Sequence, residues 1–96
     1  NYEYYKIFYY VARYKNFTKA AQALGSSQPN VTRAMNCLEQ QLNTTLFIRT
    51  NRGVQLTPEG ERLYTHVLSA MEQFHSLWQQ KKSLRTVQVF HMAVFP

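Results

Sequence analysis

The chain has 96 residues, which is enough for one small domain with a core but not for two. Eleven Lys and Arg face five acids, all glutamates, and the net charge of +6 points to a polyanionic partner, either nucleic acid or an anionic membrane surface. One cysteine, Cys37, excludes an internal disulfide or a cysteine-based metal cluster, and His66, His75 and His91 lack metal-ligand spacing.

No apolar run reaches the ~18 residues of a bilayer span, and no signal-peptide pattern opens the chain. A reducing, cytoplasmic setting is expected. Asn1 stands where a Met would begin a natural chain, which fits a trimmed one.

Residues 3–15, EYYKIFYYVARYK, place Tyr5, Phe8, Val11 and Ala12 on one helical face, with Lys6, Arg13 and Lys15 off it. The dense tyrosines also suit a strand, but spacing and length predict a helix. A short helix is predicted over 16–25. Asn16 or Thr18 can cap its start, Gly25 can stop it in the left-handed conformation, and Ala20, Ala21 and Leu24 face inward.

The next stretch, SSQPNVTRAM, opens a third helix. Ser27 is its expected N-cap. Pro29 falls in the first turn, where the backbone N–H groups have no intrahelical partner and a proline removes no hydrogen bond. The helix is predicted to run to about Leu42. Val31, Ala34, Met35, Leu38 and Leu42 fall within an arc of about 100°, a stripe for burial. Gln28, Pro29, Thr32, Arg33 and Asn36 lie on the opposite side.

In LFIRTNRGVQL, 46–56, the period changes. Phe47–Arg49 and Val54–Leu56 read as two short strands. TNRG between them is turn chemistry, with Asn51 and Gly53 suited to positive φ and Arg52 near the tip. A fourth helix then starts with Thr57 as N-cap, Pro58 at the first helical position, and Glu59 and Glu61 near the positive end of its dipole. It is expected to continue to about Leu84. Leu63, Val67, Ala70, Phe74, Leu77 and Leu84 form a heptad seam of roughly 40 Å, interrupted by Lys81. A second stripe, Tyr64, Leu68, Met71 and Trp78, runs beside it, and in a monomer one stripe stays bare, which argues for a partner helix. The tail from Ser83 alternates at Val87 and Val89. It reads as mobile, or as the first strand of a further domain.

Phe17 to Leu38 has the spacing of a helix-turn-helix. Ala21 is small where the second helix crosses, Gly25 makes the turn, and Val31 plugs the space between the helices. The outward face then carries an amide (Gln28), a hydroxyl (Thr32), a guanidinium (Arg33) and another amide (Asn36). These groups read base edges in the major groove, Arg suiting guanine and Gln or Asn suiting adenine. A polar helix face can equally be merely solvated. The basic hairpin that follows makes a winged helix, in which Arg52 can enter the minor groove. Arg49 can contact phosphate or pair internally.

NFTKAAQALGSSQPNVTRAMNCLEQQLNTTLFIRTNRGVQLTPEGERL closely resembles the N-terminal DNA-binding domain of LysR-type transcriptional regulators. The pieces FTKAA, SQPNVTRA, LEQQL, LFIRT and LTPEGE agree in order and spacing, and the resemblance covers about residues 4–85. It implies a mainly α fold, a winged helix-turn-helix (three-helix core plus β-hairpin wing) followed by a long dimerisation linker helix. The expected domains are 1–57 for DNA binding, 58–85 for the linker helix, and 86–96 for a hinge or the start of a missing effector-binding domain. Family members usually sense a small molecule through that C-terminal domain and bind interrupted palindromes as dimers. By resemblance, Gln28, Pro29, Thr32 and Arg33 match recognition-helix contacts, Ser27 the helix start, Arg52 the wing contact, and Thr18 a position near the phosphate backbone. Gly25 departs from the larger residue the family often has, which should only loosen the turn. Asn30 replaces an alanine or proline and either contacts DNA or faces water.

The expected function is sequence-specific binding of double-stranded DNA by a homodimer. Thr18, Lys19, Ser27, Gln28, Pro29, Asn30, Thr32, Arg33, Asn36, Arg49 and Arg52 face the DNA, with Lys19, Arg52 and the helix N-termini on phosphate. Leu63, Val67, Ala70, Phe74 and Leu77 form the dimer seam. The alternative is an interaction or dimerisation module on a winged scaffold. No metal or cofactor is expected in this segment, only a small-molecule effector for the missing domain. No Ser-His-Asp, paired-carboxylate or phosphate-loop arrangement suggests an enzyme. The scattered basic residues speak against a membrane-surface binder.

Overall fold

The computed structural model describes residues 2–80, in the order α1 (Tyr2–Tyr14), α2 (Phe17–Leu24), α3 (Gln28–Leu42), β1 (Phe47–Thr50), β2 (Gly53–Leu56) and α4 (Pro58–Gln80). Local chemistry sets the helix ends. Asn16 caps α2, its side chain accepting from the Lys19 N–H at 2.8 Å, so Thr18 is not the cap. Ser27 caps α3 by accepting from the Asn30 N–H at 3.3 Å, and Pro29 sits in the first turn as expected. Thr57 starts α4, where its Oγ1 accepts from the Gly60 N–H at 3.0 Å.

The first three helices stop at left-handed residues: Lys15 (φ 53°), Gly25 (φ 66°) and Asn43 (φ 50°). At Gly25 the N–H of Ser26 reaches back to the Ala21 carbonyl and that of Gly25 to Gln22, a paired closure that satisfies the last turn. Glycine is the residue with no Cβ penalty in that conformation, so Gly25 defines the turn rather than loosening it. Asn43 and Thr44 close α3 the same way, onto Gln40 and Glu39.

The chain divides into two compact units, Asn1–Tyr64 and one beginning at Thr65. In the first, Phe8 and Val11 of α1, Ala20 and Ala21 of α2, and Val31, Ala34, Met35 and Leu38 of α3 are buried together with Leu46, Phe47 and Val54. Each large side chain among these contributes about 1.5–3 kcal/mol by leaving water. Tyr9 joins this core although it lay off the predicted stripe, and Tyr5 is only half-buried. Leu42 corrects the predicted α3 stripe. It is 39% exposed, because it occupies the last position of the helix, where the chain turns away.

Strands β1 and β2 pair antiparallel, Phe47 opposite Leu56 and Thr50 opposite Gly53. The hairpin is therefore one residue longer on each strand than expected. Gly53 has φ 130°, but Asn51 does not take positive φ, so one left-handed position suffices for the turn. The hairpin is tied to the helices at two points. Phe47 packs its ring 5.4 Å from that of Phe8 and 5.9 Å from that of Phe17, and the Val54 N–H donates to the Lys15 carbonyl at 3.0 Å.

Of α4 (Pro58–Gln80), the part from Thr65 onward belongs to the second unit. Leu84 and Lys81 of the expected seam, and the alternating tail, lie outside the described residues.

Candidate nucleic-acid interface

The steric plan of a helix-turn-helix is present in α2 and α3. Ala21 is 2% exposed and Val31 1% exposed, so the small residue and the plug both lie in the helix crossing. With that face of α3 buried, its other face is outside. Gln28, Pro29, Asn30, Arg33 and Asn36 are exposed, and Thr32 is half-buried. On α2, Thr18 and Lys19 are exposed in the first turn, as is Ser27 at the start of α3.

Four of these polar groups form two hydrogen-bonded pairs. Gln28 Nε2 lies 3.0 Å from Thr32 Oγ1, one turn along. Arg33 Nη1 donates to Asn30 Oδ1 at 3.0 Å. Asn30 is exposed and holds the guanidinium beside it. These contacts lie on the exposed surface, so each contributes modestly to stability while narrowing the rotamers of the face.

Arg49 pairs internally, while its side chain stays 40% exposed. Its Nη2 donates to Asn36 Oδ1 at 2.6 Å and lies 3.6 Å from Glu39 Oε1, and its Cζ stands 5.0 Å from the Phe17 ring centre. This brings β1 against the outer edge of α3. Glu39 is the residue that the motif reading missed. Its Oε2 accepts from the backbone N–H of Leu46 at 2.8 Å and of Phe47 at 3.2 Å, fastening the α3 end to the hairpin. Nothing in the periodicity of α3 marked it, because its donors lie 7 and 8 residues further along the chain. Thr57 was likewise recognised as a cap but not as a bridge. Its hydroxyl also donates to the Thr45 carbonyl at 2.6 Å, and it is buried.

Arg52 is exposed in the hairpin turn, where its N–H donates to Thr50 Oγ1 at 3.2 Å. Its guanidinium has no partner among the described residues. Along α4, Leu63, Val67 and Phe74 are half-buried and Ala70 and Leu77 exposed. Of the second stripe, Met71 is buried and Tyr64, Leu68 and Trp78 are half-buried. Tyr64 stacks on Tyr9 with ring centres 6.1 Å apart. No group of three or more His, Cys, Asp or Glu that could hold a metal ion occurs among the described residues. No described helix is long and apolar enough to cross a membrane.

The family described as bacterial regulatory helix-turn-helix protein, lysR family, matches residues 2–61. The chain belongs to the LysR family. It is similar to the HTH-type transcriptional regulator YofA of Bacillus subtilis strain 168, at 41% identity over 99 residues that cover 91% of this chain and 35% of YofA. The chain thus spans about a third of that relative's length. Among solved structures it is similar to the DNA complex of the CbnR DNA-binding domain, with TM-score 0.75 and 30% identity over 86% of this chain and 95% of that one. A hydrogen-peroxide-bound mutant of OxyR from Corynebacterium glutamicum gives TM-score 0.75 and 30% identity, over 88% of this chain and 27% of that one. Residues 2–61 are therefore a LysR-family helix-turn-helix DNA-binding domain, with α2 and α3 as the helix-turn-helix and β1–β2 as the wing.

Proposed function

We propose that this chain is the DNA-reading segment of a LysR-type transcriptional regulator that acts as a homodimer on an interrupted palindrome. The outer face of α3 enters the major groove, where Gln28, Thr32, Arg33 and Asn36 meet base edges and Pro29 packs at the leading end. Arg52 reaches from the wing toward the minor groove. Thr18, Lys19 and Ser27 lie along the phosphate backbone and, with Arg52, supply the salt-sensitive share of affinity.

The observation that carries this reading is the split of α3. Its buried side fixes the helix against α1 and α2, and its exposed side carries amides, a hydroxyl and a guanidinium in hydrogen-bonded pairs, bordered by the basic wing. The similarity to a solved DNA complex of an isolated DNA-binding domain of nearly the same extent supports binding by a segment of this size. We assign residues 1–57 to DNA contact and 58–85 to a linker helix that pairs with its counterpart through Leu63, Val67, Ala70, Phe74 and Leu77. This chain spans about a third of the length of YofA, and we assign effector binding to a part of the whole protein outside the DNA-reading segment. The peroxide-bound OxyR structure is in line with a small-molecule effector for the whole protein. A regulator of this kind works in the cytoplasm, on the chromosome, and is not an enzyme.

The test is a binding selection from random duplex DNA at moderate salt, run on the parent chain and on Arg33→Ala. An inverted repeat is expected from the parent. The variant should relax preference at one position per half-site, by ~1–3 kcal/mol. No enrichment, and no salt-sensitive DNA binding by the folded parent, would sink the proposal in favour of an interaction module.

A further inference from the structure

We propose that Asn36 serves the DNA-facing surface as a hydrogen-bond donor only, held so by Arg49, and that Arg49 thereby shapes DNA preference without touching a base. The inference rests on the DNA-reading role of α3 argued above. Arg49 Nη2 lies 2.6 Å from the Asn36 side-chain oxygen. A guanidinium carries five N–H donors and no acceptor. The Asn36 atom that faces it is therefore the carbonyl oxygen, and the amide orientation is settled by chemistry. A flipped amide would set an NH2 group against the guanidinium, donor to donor.

Arg49 is itself a held group. Glu39 Oε1 stands 3.6 Å from its Nη2, the Phe17 ring lies 5.0 Å from its Cζ, and β1 fixes its backbone. Glu39 is in turn fastened by the Leu46 and Phe47 N–H groups. Asn36 is exposed, and its Nδ2 has no partner among the described residues.

An unrestrained asparagine reads adenine with both ends of its amide, accepting from N6–H and donating to N7. Here one lone pair of the accepting oxygen is taken, and any base N–H brought to the other would approach a cation. The free end and the adjacent positive charge both favour an acceptor. In the major groove the acceptor-rich edges are guanine O6/N7 and thymine O4. A phosphate oxygen offers the same chemistry.

The test is the same selection from random duplex DNA, extended to Asn36→Ala, Asn36→Asp, Arg49→Met and Arg49→Lys, with circular dichroism confirming the fold of each. The parent is expected to enrich guanine or thymine at one position per half-site, and Asn36→Ala to lower that preference about fivefold or more. Arg49→Met should admit adenine there, whereas Arg49→Lys, still a pure donor, should keep the parent preference. Asn36→Asp keeps the contact with Arg49 but presents only acceptors, so it should lose guanine in favour of cytosine. It tests the idea even if Arg49→Met does not fold.

A uniform loss of affinity in Asn36→Ala, with base preferences unchanged, would place Asn36 on a phosphate and overturn the claim that Arg49 shapes base preference. Adenine enriched by the parent at the position that Asn36→Ala erases would overturn the inference, as would an Asn36→Ala variant with unchanged preference and affinity. Those results leave the DNA-reading function standing. A folded parent that enriches nothing removes both.

Discussion

Glu39 receives the backbone N–H of Leu46 on its carboxylate at 2.8 Å, and so joins the last turns of the recognition helix to the first residues of the wing. The same oxygen takes the Phe47 N–H at 3.2 Å. Both contacts are partly buried. The Leu46 donor lies outside the strand pair, because β1 begins at Phe47.

Glu39→Ala is expected to destabilise the fold by about 2–3 kcal/mol, the cost of leaving two N–H groups without a charged acceptor. Glu39→Gln keeps an acceptor and should cost less than half of that. Urea denaturation followed by circular dichroism measures both. Equal midpoints for parent and Glu39→Ala would mean that water replaces the carboxylate without penalty.

A second junction lies at the start of α4. Gly60 is buried there, and a Cβ on it would clash with the Leu46 backbone carbonyl oxygen and stand 3.1 Å from Leu56 Cδ2. Backbone cannot yield as a side-chain tip does. Gly60→Ala is therefore expected to lower stability by about 1–3 kcal/mol, although alanine is the better helix former. An alanine variant that melts at or above the parent temperature would contradict this close approach.

What was legible in the sequence was mostly local. Asn16, Ser27, Pro29, Gly25 and Thr57 each act within a few residues of themselves, and each defines a helix end as its chemistry dictates. The buried stripe of α3 was legible through Leu38, but Leu42 lies at the helix end, where periodicity continues and the core does not. Asn51 resembled Gly53 in turn chemistry, yet only glycine takes the positive φ. The alternatives for Arg49 stayed open because its partners, Asn36 and Glu39, lie on another element. Glu39 escaped notice for the same reason. Contacts across 7 or more residues leave no periodic trace.

The tyrosines predict an alkaline weakness. Burial holds the Tyr64 phenol above its ordinary value, helped by the neighbouring Tyr9, and burial does the same for Tyr10, helped by Tyr14 and Tyr9. The unfolded chain then releases these protons first, as pH passes about 10. The stability they contribute is complete below that pH and is lost as pH rises through the folded-state values. The melting temperature should fall more steeply above pH 10 in the parent than in Tyr64→Phe or Tyr10→Phe. Parallel curves for all three proteins would show that the phenols are not the source.

The proposed dimer seam can be tested apart from the fold. Leu77 is 40% exposed on α4, so a charge there removes little packing within one chain. At the centre of a helix pair the same charge would be buried without a partner. Leu77→Glu should therefore keep the helix content and melting temperature of dilute parent, yet dissociate at about 30-fold lower concentration-normalised affinity in sedimentation velocity. Binding to a duplex with two half-sites should weaken with it, while binding to a single half-site should not. That pair of results requires two chains acting together on DNA. A variant that sediments and binds like the parent would instead move the seam to the neighbouring stripe, where Leu68 and Trp78 lie half-buried on α4.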